Sequence, residues 1–275
     1  MFTSPGPIAF SIGPRDVHWY GIIIGLGIVC AYLFAEREIA RRGGEKKHIE
    51  SMLIPLVIAG VLGARLYYVL FNLSYYLARP LEILALWRGG LAIHGALIGG
   101  ALAFFIYMRR HKLSWLLYAD ALMPGILLGQ GIGRWGNFFN SEAFGGPTDL
   151  PWKLFIPENL RPAHYSAVEY FHPTFLYESL WNFVGFALLV ILARKLYPKI
   201  QAPVAASHSH RAPGIVFFAY CIYYSLGRFF IEALRTDSLY IGPIRTAQLA
   251  SVVLFVTGCI GLILIIRAGR MRFIK

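Results

Sequence analysis

Apolar residues in this chain gather into long blocks parted by brief polar stretches. Seven blocks stand out: Val17–Ala35, Ile49–Phe71, Leu91–Met108, Leu113–Gly133, Pro173–Ala193, Gly214–Leu234 and Thr246–Ile266. Each is close to the ~20 residues a helix needs to cross the hydrocarbon of a bilayer. Seven buried helices of a soluble protein would need a polar surface to cover them, and too little polar sequence remains for that. The pattern predicts an all-α membrane protein with seven transmembrane helices, a single integral-membrane domain over residues 1–275. Between the blocks, Arg41–His48 and Ala202–Pro213 are short and polar. Gly145–His172 is longer, proline-rich and aromatic, with Trp152, Phe155, Tyr165, Tyr170 and Phe171. A connection of that length is uncommon without a function, and residues 143–172 are expected to form a small head over the membrane. Pro80–Trp87 predicts a short helix lying in the interface. No repeat of fixed period is visible.

Composition agrees with the pattern. The chain is 57% hydrophobic and 15% charged, with a mean hydropathy of +0.57, where a soluble domain carries about 25% charge. Charge also predicts orientation. An outside N-terminus puts sixteen Lys and Arg in cytoplasmic segments, among them Arg37, Arg41, Arg42, Lys46 and Lys47, against eight in outer ones. That bias predicts an N-terminus outside, or periplasmic, and a cytoplasmic C-terminus. The net charge of +12 then suits anionic inner-leaflet lipid. Nucleic acid is excluded as a partner, since no basic and aromatic soluble face is visible. The basic cluster follows the first apolar block, the reverse of a cleavable signal, so that block is expected to stay as a span. Cys30, Cys221 and Cys259 all lie within apolar blocks without metal spacing and read as packing residues. HSHR at 208–211 reads as a solvated linker, metal binding being the weaker alternative. No metal and no cofactor is expected.

Ionisable residues inside spans carry the chemistry. Inserting one at the bilayer centre costs about 2.5–3.5 kcal/mol, yet Arg65, His94, Asp120, Glu178, Arg228 and Glu232 all fall there. Such groups pair with one another or line a wet cavity. In YYSLGRFFIEALR, Tyr224, Arg228 and Glu232 recur every four residues on one helix face. Two readings are open: a self-neutralising pair that lets the helix insert, or a carboxylate aiming a guanidinium at an anion. In GRWGNFFNSEAFGG, residues 133–146, Arg134 follows an apolar block and stands at the expected depth of Arg228. Two guanidiniums at one depth can fork onto one phosphate. Asn137 and Asn140 add neutral donors and acceptors, Glu142 can orient an Arg, and Gly131, Gly133 and Gly136 allow close approach. A helix end with polar caps is the alternative, though capping does not call for so many polar groups. His94, beside Gly95, Gly99 and Gly100, is either a satisfied structural histidine or a base able to take a thiol proton.

These motifs resemble the prolipoprotein diacylglyceryl transferase family. GRWGNFFNSEAFG is similar to its signature, and HWYG (18–21), HG (94–95), HPTFLYE (172–178) and YSLGRFFIE (224–232) match in order and spacing over essentially the whole chain. One departure is Ala96, where the family commonly has a second glycine after the histidine. The resemblance implies a membrane enzyme of the bacterial inner membrane, multi-pass, with its active site toward the outer face. It implies transfer of the sn-1,2-diacylglyceryl group from phosphatidylglycerol to the lipobox cysteine thiol of a preprolipoprotein signal peptide. Glycerol 1-phosphate leaves, and the bilayer is the third partner. Carried over by motif, His94, Arg134 and Arg228 are catalytic. Tyr20, Gly95, Arg134, Asn137, Glu142, Gly145, Tyr224, Arg228 and Glu232 bind the lipid, with His172 and Glu178 weaker candidates. In this scheme His94 is the general base, Arg134 and Arg228 steady the leaving phosphate, and Glu142 and Glu232 orient the arginines. Two rivals remain at this level: a lipid flippase, which should show broken helices and a midplane site, and a metal-dependent headgroup transferase, which should cluster carboxylates.

Overall fold

The computed structural model describes residues 1–197 and 213–272, without the side chains of residues 88 and 269–272. The HSHR stretch lies outside the described residues. Among the described residues eight α-helices form: α1 Trp19–Arg41, α2 Lys46–Phe71, the short α3 Leu73–Ala78, α4 Ile93–Arg110, α5 Trp115–Asn140, α6 Thr174–Leu196, α7 Ile215–Leu234 and α8 Thr246–Arg272. Among the described residues, six are long and apolar enough to cross a membrane: α1, α2, α5, α6, α7 and the Thr246–Ala268 part of α8. The remaining predicted span, α4, is an 18-residue helix whose last turn holds Arg109 and Arg110.

Several helices outrun their apolar blocks. Most consequentially, α5 does not stop at Gly133 but continues to Asn140, so GRWGNFFN is helix and Arg134 stands inside it. Glycine usually weakens a helix by about 1 kcal/mol; here packing over the glycines compensates. A Cβ on Gly131 would stand 2.7 Å from the Phe183 ring, and one on Gly136 would stand 2.7 Å from the Tyr20 ring.

The chain packs as two units, Met1–Gly43 with Ala119–Lys275, and Gly44–Tyr118. In the second, α2 and α4 cross antiparallel at glycine contact: a Cβ on Gly95 would lie 2.1 Å from the Gly63 carbonyl oxygen, and one on Gly99 2.2 Å from that of Ala59. Arg65 in α2 is buried and gathers the following loop. Its Nε donates to the carbonyl of Ile83 (2.9 Å) and its Nη1 to those of Gly89 (2.7 Å) and Gly90 (3.0 Å). This corrects the interfacial helix expected at Pro80–Trp87. Two 3-10 turns stand there instead, Pro80–Leu84 and Leu86–Arg88, broken at Ala85, because Arg65 draws the carbonyls of this segment inward. An in-span charge is thereby satisfied structurally.

In the first unit, α1 and α5 cross through Gly27, Ala31, Gly125 and Gly129. Ser179 Oγ donates to the Gly131 carbonyl (2.8 Å) and Trp135 Nε1 to Ser179 Oγ (3.2 Å), joining α5 to α6. Trp181 and Tyr223 stack at 4.6 Å and exchange bonds with each other's carbonyls at 3.2 and 2.8 Å, joining α6 to α7. Both contacts are antiparallel, so α5 and α7 run the same way. Buried Asp120, near the start of α5, accepts from the Tyr197 hydroxyl (2.8 Å) and from the backbone N–H of Gly214 (2.8 Å) and Phe217 (2.7 Å). A carboxylate at the first turn of α7 suits that helix dipole.

The head is larger than residues 143–172. β4 (Leu154–Phe155) pairs antiparallel with β5 (Tyr170–Phe171), and β1 (Phe2–Thr3) adds a parallel third strand. Its core is Phe144, Leu154, Ile156, Phe171 and Phe175, with Phe2 packed against it. Among the described residues two hairpins precede helices: β2 (Ile8–Ile12) with β3 (Arg15–His18) before α1, and β6 (Tyr240–Ile241) with β7 (Ile244–Arg245) before α8.

Candidate active site

The antiparallel α5–α6–α7 packing brings three charged side chains to one place. Glu178 of α6 is buried and shared by two arginines. Its Oε2 lies 2.8 Å from Arg134 Nε, and its Oε1 2.7 Å from Arg228 Nη1. Arg228 Nη2 lies 2.5 Å from Glu232 Oε2, four residues on. Asn137 accepts from Arg134 Nη1 at 3.4 Å and donates to Glu142 Oε1 at 2.8 Å. Buried ion pairs hold only where the geometry satisfies both charges, and here two carboxylates answer two guanidiniums. Each guanidinium has five N–H donors and uses only some of them. The side chains of Arg134 and Arg228 keep 22% and 17% of their surface open, enough to meet a ligand.

The expected division of labour among the carboxylates changes. Glu142 and Glu232 are expected to orient the arginines; Glu232 pairs with Arg228, Glu142 reaches Arg134 only through Asn137, and Glu178 takes the Arg134 Nε directly. The turn explains this. Ser141 and Ala143, on either side of Glu142, have φ of 52° and 57°, a left-handed conformation costing ~1–2 kcal/mol for a residue with a Cβ. That turn folds Glu142 back toward Asn137, with its backbone N–H on the Asn137 carbonyl at 3.1 Å. Strain held by surrounding bonds is a mark of functional sites.

The other predicted residues fall at varied places. Tyr20 lies over Gly136. Tyr224 stacks on Tyr220, centroids 5.6 Å apart. Gly145 is a backbone junction: its N–H donates to the His172 carbonyl (2.9 Å), and the Gly146 N–H donates to that of Leu234 (3.0 Å). A Cβ at Gly145 would meet His172 Cβ at 2.8 Å. His172 Nδ1 lies 3.1 Å from the Tyr177 hydroxyl, which accepts from Trp152 Nε1 at 3.0 Å. His94 and Gly95 belong to the other unit; there His94 is exposed and its ring stacks on Tyr67 at 5.8 Å. Sequence reasoning passed over Arg245, whose Nη1 donates to the Glu232 carbonyl, and Arg235, which grips Asp237 at 2.9 and 2.7 Å. Burial pushes the Asp237 carboxyl up, but the Arg235 bonds outweigh it and hold it below its ordinary value. The ion pair at Arg235–Asp237 is readable from adjacency; the Arg245 contact, thirteen residues from Glu232, is not.

A family model described as prolipoprotein diacylglyceryl transferase matches residues 7–264. Relatives bearing the name phosphatidylglycerol–prolipoprotein diacylglyceryl transferase match along nearly their whole length. That of Synechococcus elongatus is 48% identical, covering 96% of this chain and 88% of its own. That of Acaryochloris marina is 47% identical over 95% and 91%, and that of Gloeobacter violaceus 45% over 95% and 93%. With nearly the whole chain matched, and the signature folded into the shared carboxylate cluster of α5, α6 and α7, this chain belongs to the prolipoprotein diacylglyceryl transferase family.

Proposed function

We propose that this chain transfers the sn-1,2-diacylglyceryl group of phosphatidylglycerol to the lipobox cysteine of a preprolipoprotein signal peptide, the first step of lipoprotein maturation. The cysteine sulfur attacks the glycerol carbon next to the phosphate ester. A C–S bond forms, the C–O bond breaks, and sn-glycerol 1-phosphate leaves with the electron pair. The observation that carries this reading is the meeting of Arg134 and Arg228 on one buried carboxylate. Their remaining N–H donors suit a phosphate that gains charge as the bond breaks. In surroundings poor in water such donors stabilise a leaving anion strongly.

Around that pair, Tyr20, Asn137, Glu142, Gly145, Tyr224 and Glu232 are the proposed lipid-binding set, with Glu178 added as the carboxylate that spaces the two guanidiniums. His94 is the proposed base for the thiol on the strength of its motif, and Gly95 the residue that lets α4 run close to α2. The chain crosses the bacterial inner membrane seven times in this reading, α4 included. The Lys and Arg bias supports an outside N-terminus with the head on that side. No metal or cofactor enters the scheme.

The test is transfer from labelled phosphatidylglycerol to a lipobox peptide by purified protein in chelator. Arg134→Ala and Arg228→Ala are each expected to lower kcat about 100- to 1,000-fold, the usual loss for one anion-stabilising donor. Near-normal turnover in both variants would remove the phosphate role of the pair.

A further inference from the structure

A second polar group lies one to two helical turns from the arginines, toward the starts of α5 and α7, where the phosphate chemistry does not reach. Gln130 precedes Arg134 by four residues on α5, and Tyr224 and Tyr220 precede Arg228 by four and eight on α7. At 1.5 Å per residue these steps are about 6 and 12 Å along the helices. Gln130 Nε2 donates to the Tyr220 hydroxyl oxygen at 3.1 Å. The Tyr220 ring lies parallel to that of Tyr224, within 7°, at 5.6 Å. Gln130 Oε1 is buried without a hydrogen-bond partner among the described residues.

Helix packing alone does not account for this trio. An amide inside a span costs free energy unless its groups are bonded, and a leucine would fill the place at less cost. The helices are already tied by Glu178 at one end and Asp120 at the other. The donor inventory points outward. With the amide turned so that Oε1 accepts from the Tyr220 hydroxyl, no acceptor is left orphaned and both amide hydrogens remain as donors. Their natural complement is a ligand group that only accepts. A diacyl lipid whose phosphate rests at Arg134 and Arg228 carries such groups a few bonds away, on the apolar side: the two acyl-ester carbonyls.

We propose that Gln130 and Tyr220, with Tyr224 beside them, form an ester-carbonyl subsite that selects diacyl over dialkyl phospholipid and sets how deep the glycerol sits. This rests on the phosphate assignment made above. The ester bonds are untouched by the reaction, so the contact is the same before and during transfer. Such uniform binding acts on KM and leaves kcat alone.

The experiment compares diester phosphatidylglycerol with its diether analogue of equal chain length, using full-length protein and a lipobox peptide. Wild-type protein is expected to show a KM about 3- to 10-fold higher for the diether lipid, the worth of one neutral hydrogen bond. Gln130→Leu and Tyr220→Phe are expected to raise KM for the diester by a similar factor, with kcat held within about twofold. The preference for the diester should then shrink toward one. Equal KM values for the two lipids in wild type overturn the subsite, and that result needs no variant to fold. So does an undiminished preference in both variants. Absence of transfer from either lipid by wild type would instead sink the assigned reaction.

Discussion

At the scale of single residues, Glu178 decides the charge arrangement. One carboxylate faces two guanidiniums, with an oxygen at 2.8 Å from one and 2.7 Å from the other. Glu178→Gln keeps the shape but turns one of those oxygens into an NH2, a donor facing a donor. Removing one partner of a buried charge set costs about 3–5 kcal/mol when nothing replaces it; the amide, which still accepts on one side, is expected to cost less. A lower midpoint of thermal unfolding in detergent and a kcat reduced by at least ~10-fold are expected. An unchanged midpoint together with unchanged turnover would show that the arginines do not depend on Glu178. The sequence made part of this legible. Arg228 and Glu232 stand four apart on one helix, and that spacing alone brings them together. Arg134 is different. Its nearest carboxylate in sequence, Glu142, is linked to it only through Asn137, while its direct partner stands on another helix. No local spacing encodes a contact made by packing α5 on α6.

At the scale of elements, the arginines are only as well placed as the helices under them, and α6 meets α7 through a glycine-for-ring exchange. A Cβ on Gly227 would stand 2.1 Å from Trp181 Nε1, and one on Gly185 2.2 Å from the Tyr223 ring. Gly227 directly precedes Arg228. Gly227→Ala is therefore expected to displace Trp181, break its 3.2 Å bond to the Tyr223 carbonyl and cost about 1–3 kcal/mol through overpacking. Gly100→Ala makes the control, since a Cβ there meets nothing within 4 Å; a gain of up to about 1 kcal/mol is expected from helix propensity. Unfolding midpoints of the two variants in parallel check the contrast, and an equal response in both would discount the ring contact. The apolar blocks announced where the long helices run, because block length and bilayer thickness are the same constraint. They did not announce that α5 continues to Asn140. GRWGNFFN has the glycine content of a loop, yet α1 packs over both of its glycines: a Cβ on Gly133 would stand 3.3 Å from Ile24 Cδ1 and one on Gly136 2.7 Å from the Tyr20 ring.

At the scale of the whole chain, the segment 143–172 is not a self-contained insertion. Its two-stranded ribbon would be marginal alone, and the third strand comes from residues more than 140 positions away. Phe2 donates its N–H to the Lys153 carbonyl at 2.8 Å and sets its ring edge-on to Phe175 at 6.3 Å, at the start of α6. Ser4 Oγ donates to the Phe139 carbonyl at 2.9 Å, at the end of α5. The first residues thus join this small sheet to the end of α5 and the start of α6, the two helices that supply Arg134 and Glu178. Alternating block patterns could not reveal this, since a two-residue strand has no periodicity to read. Phe2→Ala removes the ring from the head core but leaves the strand's backbone bonds in place. The loss is expected to be about 1–2 kcal/mol, less than the 3–5 of a fully buried phenylalanine, and local to the head. Limited proteolysis in detergent should then cut within residues 147–171 several-fold faster than in wild type, while the α5–α7 helices stay protected. A head cut no faster than wild type would mean that residues 143–172 hold their shape without the N-terminal strand.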